Sequence, residues 1–243
     1  MTNIIKAEFL KSKRTMGSRL VFIFPVLSLI VAFVLTMGMT NSYSESAWNW
    51  WYTLLLPGML AIICHLSLSR ERKAGYYNLM TLSMDKRDMM LGKIVYMGCL
   101  IFISNLILFI GALVGGRFLT TSVPANGAAM TVVVLTIVQL WEIPLFLFLS
   151  EKFGMMMELM ICLFITVFGI VVAPSRMWFL FVSAIPMRVV TPLLHVLPNG
   201  MRAQAGNHLL NAGVIIPGIL ISIFWFVLGT FLYLTWFEKR EVK

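Results

Sequence analysis

Long apolar stretches separated by short polar segments dominate the chain from residue 20 onward. A helix needs about 20 largely apolar residues to cross roughly 30 Å of hydrocarbon. Six stretches are long enough, so the pattern predicts an all-α membrane protein with six transmembrane helices. They are Leu20–Met39, Trp51–Leu68, Ile94–Gly115, Met130–Leu149, Met155–Ala173 and Val214–Phe237. Glu158 interrupts the start of the fifth stretch, and a count of five or seven stays open.

Composition supports a polytopic membrane protein. Of the 243 residues 60% are hydrophobic, and the mean hydropathy is +0.91. A soluble domain has too little core to bury so much apolar surface. The connections leave no room for a soluble domain, so residues 1–243 are interpreted as one transmembrane domain. Cys64, Cys99 and Cys162 lie in apolar stretches at unrelated spacings, which predicts packing residues and no disulfide or metal site.

Charge placement predicts the orientation of these helices. With the N-terminus inside the cell, 15 of the 19 basic residues fall on the cytoplasmic side. The positive-inside rule therefore predicts that both termini are cytoplasmic. The net charge of +9 is explained by attraction to anionic lipid, and it gives no reason to expect nucleic acid.

Two segments are expected at the membrane surface. Residues 2–17 place Ile5 and Phe9 on one helical face, which favours an interfacial helix over a frayed basic tail. The first outer loop leads into Trp50 and Trp51, which we interpret as aromatic anchors at the membrane interface rather than a ligand-stacking site.

Residues 174–212 are too long for a turn, and their apolar run is too short to span. Four prolines interrupt the segment. We expect an outer re-entrant or interfacial helical hairpin before the sixth helix, because non-spanning backbone at membrane depth must be shielded by protein or water.

The cytoplasmic loop 69–93 carries nine of the 29 Lys, Arg, Asp and Glu residues. Inside it, the stretch 76–84 is largely uncharged and rich in Tyr, Leu and Met. Aromatic anchors within a polar rim are typical of protein interfaces. We therefore interpret a short helix presenting Tyr76, Tyr77 and Leu79 as a docking surface for a soluble partner. The alternative is a basic loop that serves topology alone.

The order of residues in this loop resembles the permease subunits of type-2 ABC exporters. The matching residues are Glu71-Arg72, Gly75, Asn78-Leu79-Met80-Thr81-Leu82, Asp85-Lys86-Arg87 and Gly92-Lys93. The resemblance covers essentially the whole chain. It implies that the loop carries the coupling helix received by an ATP-binding subunit. The expected ATPase-coupling residues are Glu71, Gly75, Tyr76, Tyr77, Asn78, Leu79, Leu82 and Lys93.

A narrower resemblance is to lantibiotic-immunity permeases. It rests on residues 5–15 (IKAEFLKSKRT), on Asn49-Trp50-Trp51 and on Leu197-Pro198-Asn199-Gly200. It implies two related permease chains in a bacterial plasma membrane that expel antimicrobial peptides and give immunity or resistance. Which of the two permease types this chain represents stays open.

The chain has no nucleotide-binding signature of its own. G-x-x-x-x-G-K-[ST] is absent, and Gly92-Lys93 lacks the earlier glycine and the following Ser or Thr. ATP and Mg²⁺ are therefore expected on a separate ABC subunit, present in two copies, and this chain is expected to be neither an enzyme nor a cofactor carrier. An intramembrane hydrolase is disfavoured because HExxH and G-x-S-x-G motifs are absent. A secondary transporter or a membrane scaffold working without an ATPase stays open.

Three polar residues inside apolar stretches are candidates for function. An ionised Glu142 would cost a few kcal/mol in a membrane helix; a contact with cationic peptide, a brace between helices and a neutral hydrogen-bonded carboxyl all stay open. Glu158 is expected near the inner surface, where it could remain solvated in a structural role. His65 is interpreted as a packed, hydrogen-bonded histidine rather than a proton relay.

Overall fold

The computed structural model describes residues 2–13, 15–37, 42–73, 85–119 and 123–239. Within these ranges the regular structure is helical and no strand forms, apart from an isolated bridge between Val196 and Arg202. The predicted all-helical class is confirmed. The described α-helices are α1 (Thr2–Ser12), α2 (Met16–Leu35), α3 (Tyr43–Trp50), α4 (Leu56–Lys73), α5 (Lys86–Phe118), α6 (Ala125–Gln139), α7 (Glu142–Phe153), α8 (Met155–Val172), α9 (Ile185–Leu194) and α10 (Ile215–Glu238).

Five helical units are long and apolar enough to cross a membrane, and a bent pair makes a sixth. Four of the five are α2, α5, α8 and α10, and the fifth joins α3 to α4 through the π-helical turn Trp51–Leu55. Helices α6 and α7 meet at a 44° bend. Five or six spans agree with the predicted number. The second span, however, begins at Tyr43 rather than at Trp51, and the fourth is broken.

Helix α4 lies at the centre of the bundle and packs against α2, α7 and α8. Of the 18 most apolar consecutive residues in each unit, 61% are buried within the chain in the α3–α4 unit and 17% in the unit that contains α10. The core beside α4 includes Trp51, which is fully buried and whose Nε1 donates a hydrogen bond to Asn105 Oδ1 over 2.7 Å. Trp51 therefore does not lie at the lipid surface as expected, because its buried N–H has an acceptor on α5. Trp50 is 37% exposed, and its interfacial role stays a prediction.

Residues 174–212 contain one α-helix between short 3-10 segments. Helix α9 begins at Ile185, later than the apolar run suggested, with Pro186 in its first turn, where the missing N–H is tolerated. It packs against α6 and α10. Arg188 is buried and donates hydrogen bonds to the carbonyl oxygens of Leu209 and His208. The segment thus folds onto the bundle, and its re-entrant course stays a prediction.

Candidate functional site

Four charged side chains from three helices meet at one end of the bundle, which we call the α1 end. Lys11 Nζ on α1 lies 2.9 Å from Glu8 Oε1 and 3.1 Å from Glu71 Oε1 on α4. Lys93 Nζ on α5 lies 3.1 Å from Glu8 Oε2 and 3.6 Å from Glu71 Oε1. Each charge therefore has two partners of opposite sign. We call these four residues the charge cluster.

The charge cluster is largely shielded from solvent. Lys93 is 1% exposed and also donates a hydrogen bond to Ser67 over 2.8 Å. A buried charge is tolerated only when paired and hydrogen-bonded, and removing one partner leaves the other uncompensated. Burial raises the pKa of Glu8, but the opposite effect of Lys93 and Lys11 is larger, so the pKa lies below its ordinary value. Burial lowers the pKa of Lys11, but Glu8 and Glu71 more than offset this effect.

Further contacts outside the charge cluster complete the attachment of α1. The hydroxyl of Ser12, in the last turn of α1, bonds to that of Tyr96 on α5. Arg70 on α4 donates to the carbonyl oxygen of Lys11 over 2.7 Å, which satisfies an otherwise unpaired acceptor at the helix end. Gly92 permits this close approach, because a Cβ there would collide with the side chain of Ile4. Helix α1 is therefore fixed to the two helix ends on either side of residues 74–84.

A second polar group joins α4, α7 and α8. His65 Nδ1 lies 2.9 Å from Ser150 Oγ and 3.6 Å from Glu158 Oε2. Glu158 is fully buried, so the expectation that it stays solvated was wrong. Glu158 lies in the first turn of α8, and α8 packs against α4. The two partners of His65 come from distant parts of the chain, and its role stays a prediction.

Glu142 lies at the bend between α6 and α7. Its Oε1 accepts a hydrogen bond from Gln139 Nε2 over 3.0 Å. The residue is 5% exposed, and Oε2 has no hydrogen-bond partner among the described residues. Glu142 therefore begins a new helix at the bend, and its carboxyl is buried in the core. The transport role considered for this carboxyl stays a prediction.

Comparison with known proteins identifies the family. The family model described as ABC-2 family transporter protein matches residues 4–169, which is more than half of the chain. The chain belongs to the ABC-2 transporter family. No curated protein and no solved structure matches it. Membership makes the chain a multi-pass membrane permease and implies an ABC ATP-binding partner.

The sequence-predicted coupling residues of this ABC-2 permease divide into two groups. Residues 75–79 and Leu82 lie outside the described residues. Glu71 and Lys93 lie at the described ends of the loop and are bound within the chain by the charge cluster. Sequence reasoning missed Glu8 and Lys11 as their partners. The available signal was an acidic residue three positions before a lysine on one face of α1.

Two of the three motifs of the narrower resemblance meet at the opposite end of the ABC-2 permease. Asn49 Nδ2 donates to the carbonyl oxygen of Pro198 over 3.2 Å and to the hydroxyl of Tyr52 over 3.0 Å. Asn49 and Pro198 are 149 positions apart in sequence. The motifs therefore form one contact that ties α3 to the segment before α10.

Proposed function

We propose that this chain is the membrane-spanning subunit of an ATP-driven exporter that expels lantibiotic-type antimicrobial peptides from a bacterial plasma membrane. A dimer of ATP-binding subunits docks on the loop 69–93, and a second related permease completes the transporter. ATP and Mg²⁺ bind to the partner subunits. Both termini face the cytoplasm. The peptide substrate is proposed from the motifs Asn49-Trp50-Trp51 and Leu197-Pro198-Asn199-Gly200.

The observation that carries the proposal is the charge cluster. It connects the end of α4 to the start of α5, and these are the helix ends that lead into and out of the loop. Each buried charge is held by two opposite charges, so separating the helices would strand a charge away from water. A push on the loop is therefore delivered to α1, α4 and α5 together rather than absorbed by one helix.

Force then passes from α4 to the rest of the bundle. Arg72 donates hydrogen bonds to the carbonyl oxygens of Ser150 and Glu151 in the last turn of α7, where a cation is favourable beside the carbonyl end of the helix dipole. His65 contacts α7 and α8 about two turns deeper along α4. Closure of the ATPase dimer would tilt α4 with these neighbours and open a cavity or lateral path for the peptide.

The decisive experiment is a mild-detergent purification of the tagged chain from its native cell, followed by mass spectrometry, ATPase assay and lantibiotic resistance. We expect an ABC subunit and a second permease to co-purify. Leu79→Asp should abolish co-purification and resistance at normal expression, whereas the matched control Leu79→Met should retain both. A folded chain that purifies alone without ATPase activity would instead indicate a secondary transporter or a scaffold.

A further inference from the structure

An apolar groove runs between α7 and α10. Its volume is about 470 Å³, which is within the usual range of ligand sites, roughly 300–1,000 Å³. Aromatic and aliphatic side chains dominate its walls, and they include Trp141, Pro144, Phe148, Trp225, Leu232 and Trp236.

The length of the groove matches one leaflet of a bilayer. Trp225 and Trp236, at its two ends, are eleven residues apart on α10. A helix rises 1.5 Å per residue, so the groove is about 16 Å long. Half of the hydrocarbon core is about 15 Å thick. The groove therefore extends from the α1 end of the bundle to about the middle of the membrane.

The groove opens to the lipid-facing side of α10. Leu232 at its edge is 56% exposed, and Trp225 is 41% exposed. Its floor is closed within the chain, because a Cβ on Gly229 would lie 3.2 Å from Pro144 Cγ. Gly229 thus permits α10 to pack closely against α7 within the chain, and it does not face a helix of another subunit.

A cation stands at the end of the groove nearest the membrane surface. Lys152 Nζ lies 5.6 Å from the ring centroid of Phe148, which lines the groove, and 5.2 Å from that of Phe153. Lys152 is exposed, whereas the adjacent Glu151 is buried and paired with Arg72. The last turn of α10 adds exposed Glu238, followed by exposed Lys239. Lys152 is therefore placed to meet a phosphate at the membrane surface.

We propose that the groove binds one acyl chain of an anionic phospholipid, with its phosphate at Lys152. The length and apolar lining of the groove select the acyl chain, and Lys152 at its end selects the negative headgroup. The lipid would fill the space between α7 and α10 and couple their tilt. This site does not depend on the identity of the transported molecule.

The test is photo-crosslinking of the purified full-length chain, with any co-purifying subunits, in nanodiscs. The probes are phosphatidylglycerol and phosphatidylcholine that carry a diazirine in one acyl chain. We expect crosslinks concentrated on groove residues and severalfold stronger with phosphatidylglycerol. Leu232→Trp, which obstructs the groove, should reduce them severalfold, whereas Leu220→Trp on the exposed side of the same helix should not. Lys152→Gln should remove the headgroup preference, whereas Lys13→Gln should preserve it.

Three results would overturn the proposal. Crosslinks spread evenly over lipid-facing helices, or equal for both headgroups, would indicate ordinary bulk lipid. Crosslinks between two copies of the chain at α7 and α10, without lipid labelling, would assign the groove to a subunit interface. Displacement of the lipid by an equimolar lantibiotic would assign it to the transported peptide. Lys152→Gln changes only an exposed side chain, so the test holds even if Leu232→Trp fails to fold.

Discussion

Lys93→Met should detach α1 from the bundle. The substitution keeps most of the apolar stem but removes the charge that lies 3.1 Å from Glu8 and 3.6 Å from Glu71. Loss of one partner from a buried ion pair costs roughly 3–5 kcal/mol. Lys11 remains to serve both carboxylates, so we expect the lower end, about 3 kcal/mol. At about 1.4 kcal/mol per factor of ten, the docking equilibrium of α1 falls about a hundredfold.

Hydrogen–deuterium exchange of α1 backbone amides measures this loss, because local opening sets their protection. Amides in the second half of α1 should exchange about a hundredfold faster in Lys93→Met, in line with the docking change. Lys13→Met removes the same charge from an exposed position and should leave the protection unchanged. Adding Glu71→Gln to Lys93→Met should restore part of it, since Glu8 and Lys11 then balance each other. Wild-type protection in Lys93→Met would refute the reasoning.

Three further predictions concern the other titratable groups. The pKa of Glu8 is lowered from its ordinary value of 4.5. The contribution of Glu8 to α1 docking is therefore complete above pH 4.5 and is lost as the pH falls through the lowered pKa. Hydrogen–deuterium exchange of α1 measured against pH should show this loss, and Glu8→Gln should abolish the pH dependence. Glu142→Gln should retain assembly and resistance, because the amide oxygen can still accept from Gln139; export lost in a correctly assembled variant would demonstrate a working charge. His65→Leu should cost about 1–3 kcal/mol by removing the partner of buried Ser150, seen as a lower Tm in detergent, whereas His208→Leu at an exposed position should not; equal Tm values for the two variants would contradict this.

The number of spans could be predicted from sequence because hydrocarbon thickness sets a length that each helix must satisfy alone. Their boundaries were less predictable where packing intervened. Tyr43–Trp50 has the polar composition of a loop, yet it is helical and its Tyr43 and Trp48 side chains are buried. The bend between α6 and α7 was also unforeseen, because both halves are apolar and the pattern remains continuous across residues 140–141.

The polar contacts between helices could not be predicted, because their partners lie far apart in sequence. Lys93 and Glu8 are 85 positions apart, as are Ser150 and His65. Hydropathy drew attention to Glu158 and His65, but it could not show that α4 and α8 would bring the two side chains to within 3.6 Å of each other. A buried charge indicates that a partner exists; only the packing of the helices shows which residue it is.

The polar residues of α4 suggest why this helix is central to the proposed transport cycle. Glu71 bonds to α1 and approaches Lys93 on α5, Arg72 bonds to α7, and His65 faces α7 and α8. Apolar contacts between helices can slide with little directional preference, whereas hydrogen bonds and ion pairs hold a particular register. Because α4 leads directly into residues 74–84, a displacement received there would move four neighbouring helices in a defined direction. Buried polar groups that would weaken a passive bundle are therefore suited to a helix that transmits motion.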